Sequence, residues 1–154
     1  MKTLLIILFP FLLVAQTDVI ITSTLWSAIS GRTEYHRMED RRLAIEGNED
    51  YLRHSKIWHT LEVPEVLSAF SVGGVIALDS FKDEFKPEIM LSDLILAGAI
   101  RWMVYDGVYN ISHGDNWFHQ SNTTMSFLEP MGSPFFKIMI LINALVFRLI
   151  VERI

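Results

Sequence analysis

At 154 residues the chain has the length of one domain. It is 51% hydrophobic and 20% charged with a net charge of −5, a balance that argues against a nucleic-acid partner, whose phosphates call for a surplus of clustered Lys and Arg. There is no cysteine, which removes disulfides, thiolate metal sites and thiol nucleophiles while leaving the redox compartment open.

The charges are segregated. Residues 31–56 hold six basic and six acidic side chains, whereas long runs elsewhere are nearly uncharged. With a mean hydropathy of +0.31, this distribution predicts an all-α, polytopic helical membrane bundle forming a single domain, with the lipid bilayer as its surroundings. Four spans are expected, over 4–29, 63–79, 88–111 and 134–152. A polar helical segment at 31–61 separates the first two, and a polar aromatic loop at 112–133 separates the last two.

The first apolar run reads two ways. Lys2, a dozen apolar residues and Ala15-Gln16 have the layout of a secretory signal peptide. The apolar character resumes after Asp18 and continues to Ile29, which favours one uncleaved helix long enough to cross about 30 Å of hydrocarbon with tilt. Asp18 would then sit where a carboxylate needs a partner. Ser30-Gly31 is expected to end the run. A charged helix follows, and Gly47-Asn48 breaks it, with Asn48 as the cap of the next helix.

Pro64 is expected to open the second span. Its apolar part, Val66 to Leu78, is only 13 residues. Ala69, Gly73 and Ala77 fall four apart, a small-residue ridge on which a helix of another membrane subunit can pack closely. The third span carries Asp93, Arg101 and Asp106. Asp93 and Asp106 lie toward its two ends, and Arg101 lies near its middle, where Asp18 is one candidate counter-charge. Ser133 and Pro134 mark the start of the fourth helix; Lys137 and Arg148 are placed to snorkel toward opposite faces, and Asn143 to hydrogen-bond a neighbouring helix. The count of Lys and Arg on the two sides is six against four and does not orient the bundle, although Lys2 and the Lys/Arg-free third loop lean toward both termini inside. Asn110-Ile-Ser112 and Asn122-Thr-Thr124 match a glycosylation sequon that is too short to fix a compartment.

Three kinds of function fit these residues. The absence of any catalytic spacing favours a non-catalytic accessory, assembly or structural subunit of a membrane complex. The first alternative is a membrane-interface enzyme, in which Arg101 holds an anionic group, His113 or His119 acts as general base, and Asp106 completes the site. The second is a small transporter or channel-like protein, suggested by Asp18, Arg101 and Asn143 in apolar surroundings. Four histidines, His54, His59, His113 and His119, fall in segments expected on one membrane face and form a candidate metal set, since imidazole suits Zn, Fe or Cu. Their spacing matches no metal pattern, and nothing in the sequence names a cofactor. Ser112, Ser121 and Ser126 lack the glycine-flanked elbow of a serine nucleophile.

Overall fold

The computed structural model describes residues 17–119 and 133–154. Among them are four helices and no strand: α1 Thr17–Glu46, α2 Tyr51–Ser80, α3 Pro87–Ser112 and α4 Pro134–Glu152. The all-α class is as expected. Two of the four, α2 and α4, are long and apolar enough to cross a membrane, half the number expected. In α3 the apolar run is interrupted by Asp93, Arg101, Asp106 and Asn110, and the second half of α1 is charged. Residues 4–16 of the expected first span lie outside the described residues, as do Asn122, Ser121 and Ser126.

Two expected breaks are absent. α1 runs unbroken through Ser30-Gly31, so the polar segment at 31–61 is not a helix of its own but the second half of α1, a turn and the start of α2. Both small residues are buried, and a Cβ on Gly31 would come within 2.7 Å of the Tyr105 carbonyl oxygen of α3. Here glycine serves close helix approach, not termination. Pro64 lies inside α2; it removes one intrahelical donor without ending the helix.

The true end of α1 is Gly47. Its φ is +69°, its N–H reaches Ala44 O at 3.2 Å, and the N–H of Asn48 reaches Leu43 O at 2.9 Å, the paired bonds of a Schellman turn. Asn48 does not cap α2, which starts from Asp50; its side chain instead accepts from Asp50 N at 3.0 Å and tightens the turn. α4 begins as expected, with Pro134 in the first turn and Ser133 Oγ accepting from Phe136 N at 3.2 Å.

α1 packs along α2 and α3, α3 also takes α4, and α2 touches α3 more lightly. The turn at 47–50 and the start of the 113–133 link fall at one end of the bundle, and the 81–86 link falls at the other. Beyond the level of His113 the last turns of α1 and the first of α2 continue as a two-helix hairpin, tied by Trp58 Nε1 donating to Asp40 Oδ2 at 3.0 Å.

The interior is small and polar. α1 turns Val19, Ser23, Ser27, Ser30 and Thr33 inward, and α2 turns Ser68, Val72, Ile76 and Ser80 inward. Several of these hydroxyls donate to the carbonyl one turn back on their own helix, as Thr33 does to Ile29 O at 2.9 Å and Ser80 to Ile76 O at 2.6 Å, which satisfies them without water. The apolar core is modest: Val19, Val72, Ile76, Leu96, Ala97, Ala99, Ile100 and Ala144.

Three charges of α3 and α4 are also inside. Lys137 and Arg148, expected to snorkel outward, are 6% and 3% exposed, and Asp93, expected near an interface, is fully buried. Arg148 donates from Nε to Asp93 Oδ1 and has its Nη2 3.8 Å from Asp79 Oδ2. Lys137 Nζ donates to Asp106 Oδ2 at 2.6 Å. These cations turn inward because acids on the facing helices compensate them, which solvent at a helix end would otherwise have to do. Asn143 bonds within α4, to Met139 O at 2.7 Å, not across helices. Outward stand Phe70 and Phe135, each 75% exposed, with Leu67, Leu78, Met139, Ile142 and Ile150 among many others.

Candidate functional site: a histidine and tyrosine cluster where three helices meet

Where α3 ends against the middle of α1 and the start of α2, aromatic and imidazole rings gather. His36 Nδ1 of α1 lies 3.0 Å from His54 Nδ1 of α2, a distance at which one ring donates and the other accepts. Tyr35 stands at the centre: its ring centroid is 5.0 Å from His36, 5.9 Å from His54 and 4.9 Å from His113, each edge-on. Tyr109 closes the group against His113 at 4.7 Å.

His36 comes to this position because it continues the buried stripe of α1, three residues beyond Thr33; it is 4% exposed. Its flanks are charged, and that local character concealed it, whereas extending the Ser23–Ser27–Ser30–Thr33 spacing by one step finds it. Burial pushes the His36 imidazole down to about 4, and the positive fields of Arg32, His54 and Arg53 act in the same direction against Glu39. It is therefore neutral at pH 7. Glu39 is itself held below the usual carboxylate range, first by hydrogen bonds from Arg42, whose Nη2 donates to Glu39 Oε2 at 2.6 Å. Arg32, exposed, lays its guanidinium 5.2 Å from the Tyr35 ring centroid and donates to Ser112 Oγ at 2.9 Å, a cation set at the negative end of α3.

From His113 a ladder descends α3 in steps of four. Tyr109 and Tyr105 stack at 6.3 Å, and Arg101 sits 5.1 Å from the Tyr105 ring centroid and 4.0 Å from that of Trp26. Arg101 has no carboxylate within salt-bridge distance among the described residues; Asp18, the candidate counter-charge, does not supply one. Aromatic faces hold the cation instead, and its buried Nη1 has no hydrogen-bond partner among the described residues.

The residues named for an enzyme do not converge. Arg101 and His113 are twelve residues apart on one helix, about 18 Å along its axis, too far to share a small substrate. Asp106 is occupied by Lys137 on the α4 side. His119 is exposed beside Asp115, with 3.9 Å between Nε2 and Oδ2. Ser112 spends its proton on Val108 O at 2.7 Å.

Of the four histidines named for a metal, His54 turns to His36 and His113 to Tyr35. His59 lies on Trp58 at 3.5 Å, with its Nδ1 3.7 Å from Glu62 Oε2, and His119 lies with Asp115. No three His, Asp or Glu side chains among the described residues stand close enough together to hold a metal ion.

The chain after α3 folds back on its own helix. Asn110 Nδ2 donates to the carbonyls of Trp117 and His119 at 3.1 and 3.0 Å. Trp117 covers Gly107 so closely that a Cβ there would lie 1.9 Å from Cε2. The first sequon asparagine thus has its amide committed to the fold.

No family model, curated protein or solved structure shows a match to this chain.

Proposed function

We propose that the protein is an integral membrane protein, with all four helices embedded in lipid over most of their length, and that it serves as a non-catalytic accessory or assembly subunit. The observation that carries this reading is the reversed polarity of the bundle. Arg148, Lys137 and Asp93 are buried, as are several serines, while Phe70, Leu67, Ile142 and Phe135 face outward. In water this arrangement forfeits apolar burial and costs desolvation at once; in hydrocarbon both signs change. The accessory role rests on the outward ridge of α2. Gly73 is exposed, and among the described residues neither it nor Gly74 has a neighbour within 4 Å of where a Cβ would stand, which leaves Ala69, Gly73 and Ala77 for a helix of another membrane subunit.

Alkaline carbonate washing of membranes tests the first part: the protein stays with the pellet and needs detergent for release, and release by carbonate alone overturns the reading. Gly73→Leu tests the second. The variant keeps wild-type thermal unfolding in detergent but loses co-migration with its partner on native gels; an unchanged assembly overturns the role of the ridge.

A further inference from the structure

We infer that the cluster around Tyr35 is a binding site for a phosphate group, presented either by a lipid headgroup or by a free phosphorylated small molecule. Arg32 and Arg53 form its outer arms, His54 and His113 its rim and His36 its buried wall. The location rests in part on the membrane reading above, because the cluster lies at the end of α3, where a lipid-embedded body gives way to the hairpin that extends beyond it.

Charge selects an anion here. Three carboxylates of this region already hold arginines, Glu39 and Glu46 on Arg42 and Glu34 on Arg37 at 3.0 Å, while Glu49 and Asp50, exposed in the turn before Arg53, pair with no cation among the described residues. Arg32 and Arg53 are both exposed, and neither has a carboxylate within 4.0 Å among the described residues. Arg32 uses one of its five donors on Ser112, leaving the fork free for a second planar or tetrahedral oxyanion. Arg53 precedes His54 in the first turn of α2, the end of that helix whose dipole favours negative charge. The rings of three histidines and two tyrosines pack around the same point, with His36 and His54 bonded to each other through Nδ1. A divalent metal finds the opposite: two histidine nitrogens converge, but the positive fields of Arg32 and Arg53 reach His36 and no third ligand among the described residues closes the set.

The test uses the full chain in uncharged detergent, with inorganic phosphate as the probe, followed by calorimetry and by the His36 ring resonances. Phosphate saturably perturbs His36 and raises the pH at which it titrates. Arg32→Gln and Arg53→Gln each weaken binding about tenfold, the worth of one charge-assisted contact, with unfolding temperatures near wild type. Arg41→Gln, which removes an exposed arginine outside the cluster, leaves affinity unchanged. Nanodiscs of phosphatidylcholine with and without phosphatidylglycerol separate the sources: a headgroup-dependent His36 shift assigns the lipid, and a shift seen only with added phosphate assigns the free ligand.

Equal weakening by Arg41→Gln, silence of His36 in every arm, or saturable zinc binding lost in His36→Gln with phosphate silent each overturn the site. If carbonate releases the chain, the membrane reading fails by itself, and the phosphate titration is repeated without detergent.

Discussion

Arg148 illustrates how little a buried ion pair adds to stability and how much its rupture costs. Its guanidinium and Asp93 are both buried, and one atom of each, Nη1 and Oδ2, has no partner among the described residues. Desolvation therefore consumes most of the attraction. Asp93→Leu leaves Arg148 with only Asp79, 3.8 Å away, and should cost about 3–5 kcal/mol, a fall in thermal midpoint measured by circular dichroism in detergent. The double variant Asp93→Leu, Arg148→Met should recover most of that loss. Losses that simply add in the double variant would mean that the two residues act separately. The sequence displays every member of these pairs but not the pairing, because the partners stand on different helices and spacing along one helix says nothing about its neighbour.

His36 makes a second prediction at this scale. Its folded value of about 4 lies below the ordinary 6.5, so between those two values the unfolded chain binds the extra proton and the folded chain does not. Stability from neutral His36 is complete above about pH 6.5 and is lost as pH falls toward 4, a loss bounded at about 3 kcal/mol. The difference between wild-type and His36→Gln unfolding curves should show that slope; parallel curves over the same range would refute it.

Between helices, contact is set by which small residues meet. The spacing of Ala69, Gly73 and Ala77 reads in the sequence as a packing ridge; in the structure Gly73 and Ala77 face outward, and no described residue packs on Gly73. The ridge used internally is Ser23, Ser27 and Gly31 on α1. It escapes a search for apolar runs because two of its members are hydroxyl residues and because Ser30-Gly31 also spells a helix end. The same ambiguity at Pro64 splits α2 in the sequence and not in the fold. The two ridges give opposite predictions. Gly31→Ala places a Cβ 2.7 Å from the Tyr105 carbonyl oxygen, a backbone atom that moves only if α1 and α3 separate, so the thermal midpoint should fall by the equivalent of about 1–3 kcal/mol. Gly73→Ala meets no described residue within 4 Å and should be neutral, or stabilising by up to about 1 kcal/mol from helix propensity. A Gly31→Ala protein as stable as wild type would remove the close α1–α3 contact from the account.

For the molecule as a whole, exposure and polarity point to different solvents, and the absence of cysteine makes the difference directly measurable. Phe70 and Asn48 are both exposed, yet one lies on the apolar flank of α2 and the other in the turn at 47–50. If water surrounds the bundle, Phe70→Cys and Asn48→Cys should react with a water-soluble maleimide at similar rates, since both thiols are open to solvent. If lipid does, the thiol at 70 lies in hydrocarbon, where the thiolate that does the chemistry is suppressed, and only the thiol at 48 is modified. Sidedness comes from the same set. Asn48→Cys and Gly114→Cys share an end of the bundle and should label together from one side of sealed vesicles, with Asp83→Cys, in the opposite link, labelling from the other. Labelling of all three from one side would contradict a bundle that crosses the bilayer, and rapid labelling at 70 would remove lipid from the outer face of α2. The second outcome alone would still leave Arg148, Lys137 and Asp93 buried, now without any solvent whose properties explain why the greasy side chains stand outside them.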